Sequence, residues 1–305
     1  MKTFCSWFGG LCLALLFSGC VDVEKVITLN ADGSGTLVET AMLTKGMYKD
    51  FEESVKLDAQ SGQSQPQWTW LDKNFLRERA SKLGAGVTFV SAQRVSSEKF
   101  EGWSATYAFT DIGKLKVDQS PFPLGPHAWI DGAISPNDIP VPMRFEFQKG
   151  SPSELIVNLA PPAPARAEQP GPPQDPEQVD EFADLLGRML KDARIAIAID
   201  FPTAIVQTDA RFHEGRRVTL MDLDFNKLLA DPARKKKLSA SVDRDLNRKI
   251  FEGVPGVKLD PKDLYHVRFE TGNPLGGRRS SVGIFVVDFD PGLAKGRVVE
   301  GEFKG

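Results

Sequence analysis

Val21-Asp22-Val23-Glu24-Lys25-Val26-Ile27-Thr28-Leu29-Asn30 alternates apolar and polar residues, Asp32-Gly33-Ser34-Gly35 follows, and Thr36 to Leu43 alternates again. A period of two puts successive side chains on opposite faces of a strand. The Asp-Gly-Ser-Gly stretch supplies turn chemistry, because Gly adopts positive φ without steric cost. Two alternating runs around such a turn predict an antiparallel hairpin.

Immediately upstream lies Leu16-Phe17-Ser18-Gly19-Cys20, after Lys2 and an apolar run from Phe4 to Phe17. At ~1.5 Å per residue that run is too short to cross a ~30 Å hydrocarbon core comfortably. It fits the apolar region of a secretory signal. Small residues directly before a Cys resemble the lipobox of bacterial lipoproteins, with Phe17 where Leu, Val or Ile is usual. The resemblance implies cleavage between Gly19 and Cys20, a diacylglycerol on the Cys20 thiol and acylation of the new amine. Two or three acyl chains anchor a protein stably where a single chain does not. In that family an Asp directly after the lipidated Cys implies retention in the inner membrane. Here Val21 takes that place and Asp22 follows. This implies an outer-membrane anchor facing the periplasm, or the outer face of the cytoplasmic membrane where no outer membrane exists. Cys5 and Cys12 leave with the signal, so no thiol remains to form a disulfide, which suits an oxidising compartment.

Downstream of the hairpin, residues 47–60 look helical and Gln60 to Gln67 is a polar loop. Leu71, Phe75, Leu76, Ala80 and Leu83 form one stripe, so Leu71 to Leu83 predicts an amphipathic helix that stops at Gly84. Residues 161–176 (PPAPARAEQPGPPQDP) hold seven Pro in sixteen positions and predict an extended linker. On either side the chain repeats itself. Glu101-Gly102, Thr106, Asp111, Lys114 and Leu115 recur 113 residues later as Glu214-Gly215, Thr219, Asp224, Lys227 and Leu228. Arg144-Phe145-Glu146 then precedes an apolar strand at Leu155 to Leu159, as Arg268-Phe269-Glu270 precedes one at Val282 to Phe289. A helix is expected before each copy, at 71–83 and 177–192, and another at 232–252, where Pro232 suits a first turn. The expected fold is α+β: antiparallel sheets with covering helices, in two related, duplicated units. The expected layout is a lipoprotein signal peptide at 1–19, an α+β domain at 20–160, a linker at 161–176 and a second α+β domain at 177–305.

Composition narrows the function. Lys+Arg number 38 against 41 Asp+Glu, a net charge of −3, which speaks against a basic nucleic-acid binder. Three Cys and three His give no metal cluster, so no metal or cofactor is expected. The chain contains no GxSxG, Walker A, GxGxxG or HExxH pattern, and His127, His213 and His266 are scattered. Carboxylates are the remaining candidates for chemistry. Asp222 and Asp224 share one strand face, with Asp200 and Asp209 just before them. They suit an acid/base pair or a hard-cation site. They equally suit a solvated face, with Thr219, Met221, Leu223 and Phe225 facing the core and with Asp111 and Asp224 capping the turns after their strands.

Residues 21–193 hold 17 Lys+Arg against 25 Asp+Glu, while residues 194–305 hold 20 against 16. Lys235-Lys236-Lys237 and Arg278-Arg279 are therefore candidate anion-binding residues, Arg216-Arg217 being a further basic pair. Trp68 and Trp70 follow the polar loop and suit either a lipid or glycan surface or packing beneath that loop.

The opening hairpin after Cys20 and the strand pair Ile195 to Phe201 and Val218 to Phe225 are similar to the LppM-type lipoproteins. The resemblance implies an α+β or barrel-like extracytoplasmic domain that can hold an apolar pocket, with no established enzyme activity. The sequence thus predicts a cell-envelope lipoprotein: a non-enzymatic binding or interaction module anchored through acylated Cys20. Its expected partners are the membrane and an envelope protein or lipidic ligand, with no nucleic acid. The alternatives are a carboxylate-based envelope hydrolase, requiring Asp200, Asp222 and Asp224 to converge, and a membrane-tethered structural spacer.

Overall fold

The computed structural model describes residues 21–46, 48–49, 73–118, 142–159, 187, 190–235, 248–260 and 262–270. Its first half holds β1 (Val21–Leu29), β2 (Gly35–Thr44), α1 (Lys73–Lys82), β3 (Val87–Ser96), β4 (Phe100–Phe109), β5 (Arg144–Gln148) and β6 (Ser153–Asn158). The second half holds β7 (Arg194–Asp200), β8 (Ile205–Thr208), β9 (His213–Glu214), β10 (Arg217–Asp224), α2 (Phe225–Leu229), α3 (Arg248–Phe251), β11 (Lys258–Leu259) and β12 (Leu264–Phe269). An eight-stranded sheet runs in the order β11-β10-β7-β1-β2-β4-β3, with β9 also pairing β10, and a four-stranded sheet runs β5-β6-β12-β8.

The opening hairpin forms as expected, with Val21 opposite Leu43 and Leu29 opposite Gly35. Its turn is closed by Asn30 N–H donating to Ser34 O (2.7 Å) and by Ser34 N–H donating to the Asp32 carboxylate (3.0 Å). The Ser34 hydrogen bonds hold the Asp32 carboxyl below its usual range. Gly33 has φ +90°, and a Cβ there would stand 2.6 Å from the Phe147 ring of β5. The hairpin tip is thus pressed against the second sheet.

The fold is mostly β and the large sheet is mixed, where antiparallel sheets with covering helices were expected. β7 joins β1 in parallel, with Asp22 opposite Arg194 and Thr28 opposite Asp200. Parallel strands are buried on both faces and tend to be apolar throughout. β7 fits: Ile195, Ile197 and Ile199 fill one face while Ala196 and Ala198, also buried, occupy the other. Strands from either side of residues 161–176 interleave in both sheets, β1 with β7 and β6 with β12. One core cluster includes residues from both sides. Residues 161–176 themselves lie outside the described residues, as do the helix expected at 47–60, apart from Tyr48 and Lys49, most of the one at 177–192, and the strand expected at 282–289.

Over Lys73–Lys82 α1 forms the amphipathic helix expected from Leu71, with Leu76, Ala80 and Leu83 buried and Phe75 packed against the core, while Leu71 lies outside the described residues. It donates no apolar residue to spare: Arg79, on the same stripe, is buried too. Of the helix expected at 232–252, residues 232–235 and α3 are helical and the stretch between them lies outside the described residues. A bulge between Thr219 and Met221 shifts the phase of β10, so Val218 and Leu220 point inward before it and Met221 and Leu223 after it.

The recurring residues occupy matching local structure. Asp111 caps a 3-10 turn at Ile112–Lys114 and accepts from Gly113 N–H; Asp224 caps α2 and accepts from Asn226 N–H. Lys114 and Lys227 each pair with their capping Asp, at 3.5 and 3.3 Å, and Leu115 and Leu228 are buried. The strands before them differ in their neighbours: β4 lies between β2 and β3, β10 between β7 and β11.

The large sheet has two distinct ends. One carries Val21, Leu43, Phe100, Arg194 and Asp224; the other carries Leu29, Gly35, Phe109 and Asp200. The small sheet packs at the second end, through Phe147 on Gly33 and through Phe201 against Phe269, their ring centres 5.0 Å apart.

Candidate functional site

Val21, the residue after Cys20, is already the first residue of β1, and its side chain is buried. Anything attached to Cys20 therefore joins the sheet at one end of a central strand. Around that end stand Asp22 and Glu24 of β1, Arg194 of β7, and Asp222 and Asp224 of β10. Arg194 grips Asp222 through two hydrogen bonds (2.9 and 3.2 Å), and its other nitrogen lies 4.0 Å from Asp22. Burial pushes the Asp22 carboxyl up to about 6; Arg194 pulls it back, while Glu24, Asp222 and Asp224 push further.

The carboxylates expected to serve a hydrolase do not converge. Asp200 stands opposite Arg217 while Asp222 stands opposite Ala196, four positions along β7, or about 13 Å. Asp200 is held by Arg217 through two bonds of 2.7 Å, Asp222 by Arg194, and Asp224 by its cap and Lys227. Asp209 accepts from the His266 backbone N–H at 2.7 Å and pairs with Lys262 at 3.3 Å, and the sum of those contacts holds its carboxyl below the usual range. Asp200 and Asp222 are occupied in joining β7 to β10, Asp224 in capping α2, and Asp209 in meeting the β12 backbone and Lys262.

A second charged group lies within the core, where period-two patterning alone would put apolar side chains. Lys25 of β1 and Glu39 of β2 are cross-strand partners on the inward face, 3.6 Å apart and 1% and 0% exposed. Arg79 of α1 forks onto Glu39 with bonds of 2.5 and 2.6 Å. Asp118 completes the group, bonded to Lys25 and 3.6 Å from Arg79. Lys25 and Arg79 outweigh burial and hold the Asp118 carboxyl below its usual range. Two cations and two anions cancel, which is how buried charge is tolerated. Beside them, the Tyr107 hydroxyl and Trp103 Nε1 are buried without a hydrogen-bond partner among the described residues, and burial raises the Tyr107 hydroxyl well above its usual range. The signal for this group is present in the sequence. Lys25 and Glu39 interrupt the apolar phase of each strand, and Arg79 interrupts the stripe of α1. Nothing local marks Asp118.

Of the candidate anion-binding residues, Lys235 is described and lies beside Gly187, while Lys236, Lys237, Arg278 and Arg279 lie outside the described residues. So do Gly19, Cys20, Trp68, Trp70 and His127. His213 Nδ1 meets Ala210 O at 2.9 Å, and His266 Nδ1 meets Glu154 at 3.1 Å. Among the described residues no three His, Cys, Asp or Glu are placed to hold a metal ion, and no helix is long and apolar enough to cross a membrane.

No family model matches the chain, and none of the curated proteins does. Among solved structures it is similar to the folded domain of LppM from Mycobacterium tuberculosis, determined by NMR. The identity is 10% and the TM-score 0.28, over 68% of this chain and 84% of that one.

Proposed function

We propose that this chain is a cell-envelope lipoprotein, anchored through acylated Cys20, whose folded body binds a partner or ligand without transforming it. The observation that carries the reading is the lipobox-like Leu16-Phe17-Ser18-Gly19-Cys20 pattern directly ahead of Val21, which lies in β1. The end of the sheet with Val21, Arg194 and Asp224 then faces the membrane. The small sheet stands away from it, beyond the ~26 Å length of β1. Val21 and Asp22 after the Cys favour the outer membrane. The engagement of Asp200 and Asp222 in strand-to-strand ion pairs, and of Asp224 in its helix cap, supports binding over hydrolysis. The matched Asp caps, Lys pairs and buried Leu residues support an origin by duplication of one strand-plus-turn unit.

The test is Cys20→Ser, followed by fractionation of the envelope. The anchored wild type should partition with membranes and the variant should appear in the soluble fraction. Unchanged partitioning would remove the anchor from this account.

A further inference from the structure

We propose that the cleft between the 3-10 turn and β5 binds a phosphate-type oxyanion between Lys116 and Arg144. This gives the binding reading above a ligand class, and it does not depend on the lipid anchor. The cleft has a volume of about 570 Å³, within the range of small-ligand sites, and is lined by Ala85, Lys114, Leu115, Lys116, Pro142 and Arg144, among others.

The argument starts from pairing. Val117 and Met143 form an antiparallel bridge, with Met143 N–H donating to Val117 O at 2.8 Å, and both side chains are buried. The next opposed positions in that register are Lys116 and Arg144. Their side chains fall on the other face and are exposed. Like charges directly opposite each other across an antiparallel pair are destabilising. Among the described residues neither Lys116 nor Arg144 has a carboxylate partner. Lys114 stands two residues upstream, 61% exposed and paired with Asp111. Asp111, at the edge of the cleft, is already taken by Gly113 N–H (2.9 Å) and Lys114 (3.5 Å).

The backbone that carries these cations is pinned. Ile112 N–H donates to Gly33 O at 2.9 Å, and Lys116 N–H donates to Leu83 O at 2.7 Å. Gly84, at φ +133°, lets α1 close on the turn so tightly that a Cβ would stand 2.0 Å from Lys114 O. Groups held in place before binding lose little freedom on binding. The Arg fork suits a doubly contacted oxyanion, and Lys supplies a point charge beside it. An oxyanion between them turns a repulsion into two charge-assisted hydrogen bonds. A tetrahedral, multiply charged phosphate group can accept from Lys116 and Arg144 together.

The test uses the full chain carrying Cys20→Ser, so that the anchor does not mask the result. One arm titrates inorganic phosphate and glycerol phosphate by calorimetry. The other measures cosedimentation with phosphatidylglycerol vesicles against phosphatidylcholine vesicles. Binding in the first arm assigns a soluble phosphate ligand, and binding in the second alone assigns a headgroup. In either case Lys116→Gln and Arg144→Gln should each weaken it about tenfold or more. Lys116→Glu, which pairs with Arg144, should raise the ligand-free Tm by about 2 °C and abolish binding. The proposal falls if neither arm shows binding. It also falls if binding survives the double Gln variant, or if Lys116→Glu lowers the Tm while binding persists.

Discussion

Lys25 and Glu39 face each other across the opening hairpin, 3.6 Å apart and sealed from solvent, with Arg79 forked onto the same carboxylate. Removing one member strands its partner's charge in the core, which costs more than the pair contributes. Arg79→Leu should therefore lower unfolding stability by about 3 kcal/mol, less than a fully isolated charge would cost because Lys25 remains. Adding Glu39→Gln should recover at least about 1 kcal/mol of that loss relative to additivity. Urea unfolding of the four chains of this cycle measures it; strict additivity would mean the two side chains are not coupled. Asp118 extends the pH consequence. Its carboxyl sits below the unfolded value, so its contribution is present above pH ~4 and fades as pH falls through the lower folded value.

Asp22 behaves in the opposite sense. Its carboxyl rises from 3.8 to about 6 in the fold, so the ionised form is disfavoured there. Stability should fall as pH rises from about 4 through 6, and the deficit is complete above that window. Asp22→Asn should be about 2 kcal/mol more stable than wild type at pH 7.5 and no more stable at pH 4. Equal stability at both pH values would show that burial does not strain this carboxylate.

Tyr107 buries its hydroxyl without a partner among the described residues. An unpaired buried donor is a cost that its removal relieves. Tyr107→Phe should leave stability unchanged or raise it by up to about 1 kcal/mol in thermal unfolding. A loss beyond about 1 kcal/mol would mean that the hydroxyl is engaged in solution.

Gly84 has two reasons to be glycine: φ of +133° and the Lys114 carbonyl against its Cα. Gly84→Ala forces the α1 terminus off the 3-10 turn. It should cost about 3 kcal/mol or more, above the usual penalty for Ala at positive φ. A loss under about 1 kcal/mol in urea unfolding would show that the contact relaxes freely.

The elements legible in the sequence were those set by local chemistry. The hairpin follows from alternation and its Asp-Gly-Ser-Gly turn, α1 from its stripe, and the Asp111 and Asp224 caps from a short polar side chain before a helical turn. What was not legible depends on partners far along the chain. The parallel pairing of β7 with β1 joins residues about 170 positions apart, and nothing near Val23 or Ile195 specifies it. The bulge at Leu220 resets the phase of β10 in mid-strand, which a period of two does not anticipate. Asp200 and Asp222 look close in sequence, and the register separates them along β7. Lys116 and Arg144 look unrelated until Val117 and Met143 bridge.

The most direct test of the central claim is mass spectrometry of the N-terminal peptide of the protein isolated from the envelope. The account predicts a mature chain beginning at Cys20, with a diacylglycerol on its thiol and an acyl group on its amine. A mature terminus elsewhere, or an unmodified Cys20, would contradict it.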